Sequence, residues 1–392
     1  MRHDLRLQNE EHAAATIPDE IAAILRCPAC KEELQQGSKQ EYHCCHCSGS
    51  FPVIDRVMRF VDTTNYAANF GFEWQLYSRT QLDTQSNSKS EAAFRQRTGF
   101  TPQDLTGKLV LDVGCGMGRF AEVATRWGAH VVGIDLSAAA NVASRNLIDR
   151  SFVAFQADVF ALPFAPESFD FIYSIGVLHH TPDCEKAVKE LPQYLKPGGG
   201  MAVWLYSGYN KWHRFSDVYR KVTNHMPPRL LHSTLRVCVP CLYWSDRGLR
   251  RIPLVGPPAA GILHHVFPVS RSANPEIRVL DTFDWYSPKY QSKHTYEQVF
   301  RWFESCGMED LHVGETPIAV RGRKPMQEAM PCPAAASHER AGYHSPRCGA
   351  AGRQPAPDAQ CGASIFSLPL SSSTQTPRRA SSSFTSRFGT LP

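Results

Sequence analysis

A short apolar run that leads directly into a glycine-rich turn constrains this chain more than any other feature. Lys108-Leu-Val-Leu-Asp112 has the pattern of a buried strand, and Val113-Gly-Cys-Gly-Met-Gly118 follows it without a linker. Glycines allow the backbone to turn sharply and to approach a ligand closely. A helix predicted from Arg119 to Trp127 would present its free N–H groups at the same place. The segment therefore predicts a strand–turn–helix unit that binds a ligand at the turn.

The acids around this turn separate two classes of cofactor. The dinucleotide pattern G-x-G-x-x-G requires a third glycine where this chain has Arg119. The spacing is instead D-x-G-x-G-x-G, and the carboxylate of Asp112 suits the ammonium of a methionyl group but would repel a pyrophosphate. A second predicted strand, His130 to Asp135, ends in an acid, at the place where an acid binds both hydroxyls of a ribose. These residues favour a cofactor with a methionyl group and a ribose.

Strand and helix signals continue in register after this unit. Further strands are predicted over Phe152–Asp158, Phe169–Ser174 and Gly200–Tyr206, and two antiparallel strands over Asp310–Val313 and Pro317–Val320. Strands that alternate with helices favour an open parallel sheet. We therefore predict an α/β fold with a Rossmann-like, seven-stranded, mostly parallel sheet and helices on both faces.

Five successive segments of this region resemble the class I methyltransferases of the type-11 kind, which include quinone C-methyltransferases. They are VLDVGCGMGRF, VVGIDLS, QADVFALPF, FDFIYSIGVLHHTPD and LKPGGGMAVW, and they lie between Leu105 and Tyr206. The resemblance implies S-adenosylmethionine as cofactor, with Gly114 and Gly116 at its methionyl end. It also implies Asp135 on the ribose. The expected cofactor contacts are Asp112, Gly114, Cys115, Gly116, Gly118, Asp135, Leu136, Asp158 and Val159 beside the adenine, and Ile175 beneath the cofactor.

Four cysteines near the N-terminus have the spacing of a metal site. Cys27 and Cys30 form one C-x2-C pair, Cys44 and Cys47 form another, and thirteen residues separate the pairs. Two such pairs provide the closed tetrahedral set of four thiolates that structural zinc prefers. Four free thiols are the alternative. Because the predicted site has no open position, we expect this zinc to be structural and not catalytic.

The surrounding run, ILRCPACKEEL…YHCCHCSGSFPVIDRVMRFV, resembles the small zinc-ribbon module that activates tRNA and protein methyltransferases. It departs from that family at Arg56, where a glycine is common, and this departure leaves the metal ligands untouched. Such ribbons serve as folding supports, RNA contacts or docking surfaces, and the sequence leaves these roles open.

Two adjacent histidines are the candidates for a catalytic base. His179 and His180 follow the predicted fourth strand, on the side of the sheet where an acceptor would enter. A histidine has a pKa near neutrality and can remove a proton from an acceptor hydroxyl. The alternative is that the pair only begins the next helix.

A basic segment separates the predicted fifth strand from the last helix. Residues 207–271 carry many arginines interleaved with aromatic residues and leucines. We expect a helical insertion that covers the acceptor. It could hold a phosphate-bearing or lipid-linked acceptor at a membrane surface, it could contact RNA, or it could be a solvated lid.

The chain divides into four predicted parts. These are a zinc ribbon (21–62), a linker with helices that cover the cofactor or pack in the core (63–105), a methyltransferase domain (106–324) and a disordered tail (325–392). The net charge of +5 is too small to indicate nucleic-acid binding by itself. The polar N-terminus lacks the apolar run of a signal peptide, so a cytoplasmic location is expected.

These patterns lead to one preferred function and two alternatives. We expect methyl transfer from S-adenosylmethionine to a small molecule, a glycan or a lipid-linked acceptor. An RNA methyltransferase that uses the zinc ribbon to contact RNA is the first alternative, and a cofactor-binding scaffold without catalysis is the second. The sequence does not indicate an oligomeric state.

Overall fold

The computed structural model describes residues 17–38, 40–62, 64–84, 88–209 and 214–326. Of the tail predicted over 325–392, only Pro325 and Met326 fall within these ranges, so the prediction of disorder lies outside the described residues.

One continuous sheet organises the described part of the chain. Its eleven strands follow the order β1-β2-β3-β4-β7-β6-β5-β8-β9-β11-β10. In chain order the strands are β1 (Leu34–Ser38), β2 (Glu41–Cys44), β3 (Ser50–Ile54), β4 (Val57–Arg59), β5 (Leu109–Val113), β6 (His130–Asp135), β7 (Phe152–Gln156), β8 (Phe169–Ile175), β9 (Leu195–Trp204), β10 (Glu309–Val313) and β11 (Ala319–Arg323).

Twelve α-helices pack around this sheet or extend from it within the described ranges. They are α1 (Asp19–Ile24), α2 (Ala68–Leu76), α3 (Lys89–Thr98), α4 (Pro102–Leu105), α5 (Arg119–Arg126), α6 (Ala139–Asn146), α7 (Cys184–Glu190), α8 (Arg214–Thr223), α9 (Pro228–Leu249), α10 (Gly256–Val266), α11 (Pro275–Tyr286) and α12 (Tyr296–Ser305). No described helix has both the length and the apolar character needed to cross a bilayer.

The seven strands β5 to β11 confirm the predicted α/β fold. Strands β7, β6, β5, β8 and β9 run parallel to their neighbours, and β11 and β10 close the edge in antiparallel pairing. The central strand β5 is buried along Val110–Val113, as expected for a parallel strand covered by helices on both faces. The carboxyl ends of the parallel strands meet at one edge of the sheet, where ligands bind in open α/β sheets.

The cysteine-rich module is part of this sheet and not a separate domain. Strand β4 pairs in parallel with β7, with Met58 opposite Phe155 and Arg59 opposite Gln156. The guanidinium of Arg59 also donates to Gln156 Oε1 at 2.6 Å and to Asn141 Oδ1 at 2.7 Å. An unpaired sheet edge exposes backbone N–H and C=O groups. Strand β4 satisfies those of β7, a contact that the local cysteine pattern could not reveal.

The module also shares its hydrophobic core with the part of the chain that forms strands β5 to β11. Met58 and Leu25 are fully buried and belong to the same cluster as Phe155 and Phe164. The chain before the first cysteine pair is hydrogen-bonded to the same region, since Arg26 N–H donates to the Pro163 carbonyl at 2.9 Å. The two parts therefore bury apolar surface against each other.

The helical insertion is longer than predicted. It was expected over residues 207–271, but α11 continues the helical group to Tyr286 and packs on α9 and α8. Phe283 of α11 lies in one buried cluster with Leu231, Leu235 and Val239 of α9. Asn274 caps α11, because its Oδ1 accepts the N–H of Glu276 at 2.8 Å. This cap starts a further helix just after Arg271, the predicted end of the insertion.

Removal of a zinc ligand should destabilise the whole chain because the core is shared. In Cys44→Ser we expect loss of bound zinc and a single unfolding transition lowered by more than about 10 °C. Circular dichroism and zinc analysis would measure both. Cys45→Ser is the matched control, since Cys45 is the exposed neighbouring thiol. A zinc-free Cys44→Ser protein with an unchanged transition would contradict the shared-core account.

Candidate active site and metal centre

The turn after β5 brings the backbone against its neighbours too closely for side chains. Gly114 and Gly116 have φ angles of 82° and 53°, in the left-handed region that favours glycine. A Cβ on Gly114 would lie 2.3 Å from Val177 Cγ1, and one on Gly116 would lie 3.2 Å from Trp74 Nε1. A side chain at Gly114 would therefore collide with Val177, and one at Gly116 would be strained and would press on Trp74.

The carboxylate of Asp135 ties this loop to the end of β6. Its Oδ2 accepts the N–H of Gly116 at 3.0 Å, and its Oδ1 accepts the N–H and the hydroxyl of Ser137 at 2.8 and 2.6 Å. Burial raises the pKa of Asp135, and the three hydrogen bonds oppose that rise. The carboxylate is thus fixed in place beside the glycine loop.

A cavity of about 310 Å³ opens at the carboxyl ends of β5, β6, β7 and β8. Its size falls within the usual range for small-molecule sites. Eight of the residues expected to contact the cofactor line it, namely Gly114, Cys115, Gly116, Asp135, Leu136, Asp158, Val159 and Ile175. The sheet therefore brings these residues together around one space, and their contacts with a cofactor stay a prediction.

Two of the expected cofactor residues are not on the cavity wall. Asp112 lies behind the loop, where it is fully buried and its Oδ2 has no hydrogen-bond partner among the described residues. Burial raises the pKa of Asp112 to about 8, although the neighbouring Tyr173 opposes the rise. Gly118 is the N-terminal cap of α5, and a Cβ there would lie 2.9 Å from Leu147 Cδ1. Both positions support the loop from beneath.

Helix α2 and the turn before it cover one side of the cavity. Tyr66, Phe70, Glu73 and Trp74 all line it. The helix is anchored at its start by Asn65, whose side-chain amide donates to the Leu136 carbonyl at 2.8 Å. The aromatic segment that was expected either to cover the cofactor or to pack in the core lies over the predicted cofactor position.

Carboxylates and a tyrosine form the side of the cavity away from the glycine loop. The hydroxyl of Tyr206 donates to Asp284 Oδ2 at 2.7 Å. Glu73 is buried, and its Oε2 has no hydrogen-bond partner within the described ranges. Burial raises the pKa of Glu73 well above its ordinary value, and the neighbouring Asp284 and Asp281 raise it further. This wall would therefore favour a ligand group that donates hydrogen bonds.

The two candidate histidines have different surroundings. His180 lines the cavity, and its Nδ1 lies 3.0 Å from the Tyr290 carbonyl. His179 does not line it. Its ring lies 3.9 Å from the ring of Tyr206, and neither of its nitrogens has a partner among the described residues. The structure thus leaves His180 as the candidate base, and places His179 in a packing position.

The protonation state of His180 follows from these contacts. Burial lowers the pKa of His180 and lowers that of His179 well below the ordinary value, so both rings are neutral at pH 7. Because a carbonyl only accepts, Nδ1 of His180 carries the proton. Its Nε2 is then an unprotonated acceptor without a described partner.

Two partly buried arginines complete the cavity wall. Arg119 donates to Gln81 Oε1 at 3.1 Å and to Ser90 Oγ at 3.0 Å, and Arg97 stacks over the Trp204 ring at 4.1 Å. Burial, together with the nearby charge of Arg119, lowers the pKa of Arg97 to about 10. Both remain charged at neutral pH. They are the cationic groups that could accept the carboxylate of a bound ligand.

Sequence reasoning did not assign several of these wall residues. Arg97, Glu73, Tyr206, Asp281 and Asp284 come from four separate segments, which only the tertiary fold brings together. The one available signal was chemical, since charged residues occur inside otherwise apolar helical segments such as the one around Asp284.

The four predicted metal ligands converge. The Sγ atoms of Cys27 and Cys47 are 3.4 Å apart, those of Cys30 and Cys44 are 3.3 Å apart, and all four lie within 4.8 Å of one another. A tetrahedral zinc with Zn–S bonds of about 2.3 Å separates its sulfurs by about 3.8 Å. The donor set therefore fits one zinc ion, which supports the ribbon prediction without showing the metal itself.

Each cysteine pair lies on the same kind of tight turn. Lys31 N–H donates to the Cys27 carbonyl at 2.9 Å, and Ser48 N–H donates to the Cys44 carbonyl at 3.0 Å. Lys31 and Ser48 both have positive φ angles. The two turns therefore have equivalent hydrogen bonds and present their thiols toward a common centre.

Comparison with known proteins agrees with the geometry of the cavity. Residues 111–203 match the family model described as a methyltransferase domain. Over 154 residues the chain is 30% identical to sterol 24-C-methyltransferase erg6 of Schizosaccharomyces pombe. This alignment covers 37% of this chain and 40% of that protein. It is 34% identical to human "Probable tRNA methyltransferase 9B" over 33% of this chain and 28% of that protein.

A solved structure also shows a likeness. Phosphoethanolamine N-methyltransferase 2 of Haemonchus contortus, in complex with S-adenosylmethionine, aligns with 63% of this chain and 43% of its own at 18% identity and a TM-score of 0.34. The chain spans less than half the length of the curated relatives described above.

The buried carboxyl of Asp112 makes the stability of the ligand-free protein depend on pH. Its pKa is about 8 in the folded chain and about 3.9 when unfolded, so only the folded state holds the proton between these values. The free energy of unfolding should therefore fall by about 1.4 kcal/mol per pH unit across that window.

In Asp112→Asn this pH dependence should be absent. Between pH 5 and pH 7 we expect the wild type to lose about 3 kcal/mol more stability than Asp112→Asn in urea unfolding. Asp149→Asn, at an exposed acid, should behave like the wild type. Equal pH dependence in wild type and Asp112→Asn would show that Asp112 is ionised in the folded state.

Proposed function

Because residues 111–203 of this chain are a methyltransferase domain, we propose that the protein transfers a methyl group from S-adenosylmethionine to an acceptor bound beneath α2 and α11. One observation carries the proposal. The carboxylate of Asp135, held by three hydrogen bonds, and the glycine loop after β5 face the same cavity. This arrangement provides an acceptor for ribose hydroxyls beside a backbone that a methionyl group can approach.

The residues of the cavity fit the parts of that cofactor. Asp135 would bind the ribose, Gly114 and Gly116 would lie against the methionyl end, and Asp158 with Val159 would flank the adenine. The cavity-facing arginine Arg119 is available for the methionyl carboxylate. When bound, the cofactor supplies an electrophilic methyl group on a sulfonium, and the protein mainly has to align a nucleophile with it.

We propose a small-molecule, glycan or lipid-linked acceptor, in keeping with the covered cavity. Apolar side chains narrow the cavity from two sides, namely Tyr66, Phe70 and Trp74 on one side and Leu280 on the other. The remaining space has room for a small molecule or for one end of a larger acceptor. For an acceptor hydroxyl, Nε2 of His180 would take the proton as the oxygen attacks the methyl group. Tyr206 and Asp284 would then orient the acceptor through hydrogen bonds.

Sequence similarity does not select the acceptor. The sterol and tRNA methyltransferases match similar lengths of this chain at similar identity. The direct test supplies S-adenosylmethionine with a labelled methyl group to the purified protein and an extract of its source cells, and separates lipid, small-molecule, protein and RNA fractions. Label in lipid or small molecules supports the proposal. Nuclease-sensitive label would replace it with RNA methylation, and no label anywhere would favour a binding scaffold.

Asp135→Ala should weaken cofactor binding without loss of zinc. Two charge-assisted hydrogen bonds to the ribose are worth about 3 kcal/mol together, which corresponds to a dissociation constant raised about a hundredfold. Calorimetry with S-adenosylmethionine would measure binding, and metal analysis should still give one zinc per chain. Asp149→Ala at the exposed acid is the control. Unchanged affinity in Asp135→Ala would remove the ribose contact from the account.

His180→Asn tests the base. An asparagine can still donate to the Tyr290 carbonyl but has no group equivalent to Nε2, so we expect kcat to fall by about 10²–10⁴ with unchanged cofactor affinity. Because burial lowers the pKa of His180, the wild-type rate should decline only below the ordinary histidine midpoint of about 6.5. The exposed His225, changed to Asn, is the control. A wild-type rate in His180→Asn would assign the histidine to packing.

A further inference from the structure

The connection between α9 and α10 exposes an unusual amount of apolar surface. We call residues 250–258, with the sequence Arg-Arg-Ile-Pro-Leu-Val-Gly-Pro-Pro, the α9–α10 tip. Within it Leu254 is 93% exposed, Val255 is 69% exposed and Ile252 is 52% exposed. Apolar residues scattered singly on a surface need no explanation, but a contiguous group indicates an interaction site.

The outer face of α9 extends this apolar surface. Leu230, Val237 and Trp244 are each more than half exposed, and their seven-residue spacing places them on one face of the helix. The opposite face carries Leu235 and Val239, which are buried against α11. Helix α9 therefore has a second apolar stripe that nothing in the described chain covers.

This concentration is specific to the insertion. Sixteen large apolar side chains are exposed in the described part of the chain, and eight of them fall between Leu230 and Phe267. That stretch is about one tenth of the sequence, so the exposure cannot reflect an even distribution over the surface.

The backbone conformation at Leu254 directs its side chain away from the rest of the α9–α10 tip. Leu254 has a φ of 65°, in the left-handed region that residues with a Cβ avoid. The turn is closed within the chain, since Val255 N–H donates to the Pro253 carbonyl at 2.7 Å. This backbone conformation leaves the side chain of Leu254 almost fully exposed.

Positive charge surrounds the same surface. Between Arg229 and Arg271 the chain has six arginines and one acid, Asp246. Four of the arginines, with Tyr243 and Asp246, line a surface cavity next to the α9–α10 tip, namely Arg247, Arg250, Arg251 and Arg271.

Asp246 neutralises only part of this charge. Its carboxylate pairs with Arg250 at 2.8 Å and lies 3.5 Å from Arg271. Arg247 and Arg251 have no acidic partner among the residues that the structure describes. The cluster therefore keeps a net positive charge beside an exposed apolar group.

We propose that the α9–α10 tip and the outer face of α9 dock on a membrane surface that contains anionic phospholipid. Apolar side chains of such a surface enter the boundary between headgroups and acyl chains, while adjacent arginines bind the lipid phosphates. The charge argues for this occupant over a second copy of the chain, since the same arginines would repel each other across a symmetric contact. The exposed aliphatic side chains Ile252, Leu254 and Val255 favour a membrane over RNA, because they can be buried among lipid chains but cannot stack on bases as aromatic side chains do.

The docking surface is connected to the cavity through α11. Helix α11 packs on α9 with Phe283 and Val279, and it contributes Asp281 and Asp284 to the cavity wall. A membrane bound at the α9–α10 tip would thus be held by the same helical insertion that forms one side of the proposed acceptor site. The docking itself does not require the proposed methyl transfer.

Vesicle binding of the full-length protein tests the proposal. Cosedimentation is compared between vesicles of phosphatidylcholine alone and vesicles that also contain phosphatidylglycerol. The wild type should bind the anionic vesicles, and binding should fall as salt is raised. Absence of binding to anionic vesicles, or equal binding to both kinds, would overturn the proposal.

Two sets of variants separate the apolar and electrostatic contributions. Leu254→Ser should weaken vesicle binding at least about fivefold, because it removes an apolar side chain from the lipid boundary. The double variant Arg247→Gln/Arg251→Gln should weaken vesicle binding about 25-fold, since each arginine near an anionic surface contributes about 1 kcal/mol. The controls are Ile148→Ser and Arg79→Gln, at exposed positions outside the insertion. All variants should keep the circular dichroism spectrum and the thermal unfolding midpoint of the wild type, which shows that they are folded.

Three results would replace the membrane with another occupant or remove the site. A dimer that Leu254→Ser converts to a monomer in sedimentation analysis, without vesicle binding, would identify a second copy. RNA binding that depends on Arg247 and Arg251 but not on Leu254 would identify a nucleic-acid surface. Vesicle binding by the wild type that survives all substitutions would place the membrane contact elsewhere.

Discussion

The hydrogen bond from the Gly116 amide to the Asp135 carboxylate is the contact on which the rest of the site depends. It joins the turn after β5 to the end of β6 at 3.0 Å, and the parallel pairing of these two strands places both groups at the same sheet edge. The glycine conformation leaves room for Val177 and Trp74 against the loop. The hydrogen bond to Asp135 and the contacts with Val177 and Trp74 hold the loop from two sides, so that it forms one wall of the cavity.

The cysteine-rich module extends the parallel sheet by four strands, β1 to β4. A small cysteine-rich module has too little apolar surface for a hydrophobic core of its own. In this chain Met58 and Leu25 of the module are buried in the core of the larger domain. Strand β4 also pairs with β7. The residues that follow β7, Asp158 and Val159, line the cavity. The four-cysteine cluster is therefore a structural element of the large sheet as well as of its own module, even though its thiols are remote in sequence from the glycine loop.

Local patterns in the sequence were sufficient to predict part of this arrangement. Gly114, Asp135 and the four cysteines were assigned correctly to one loop, one strand end and one cluster, because their spacing alone determines how they meet. Tertiary contacts decide the remainder. Asp112, predicted to contact the cofactor, is buried and does not line the cavity, and its contact stays a prediction. Helix α11 follows the predicted end of the insertion at Arg271 and packs on α9. Helices α2 and α11 cover the end of the sheet and bring together Glu73, Tyr206 and Asp284 around one cavity. No local spacing in the sequence indicates this arrangement of the two helices.

Hydrogen–deuterium exchange of the full-length protein, with and without S-adenosylmethionine, tests the central claim most directly. If the cofactor binds where the geometry indicates, exchange should slow at the loop 113–118, at residues 135–137 and along α2, because these segments surround one cavity. The cysteine turns should exchange at the same rate in both states. Protection confined to other segments, or no protection at saturating cofactor, would contradict the assignment of this cavity as the cofactor site.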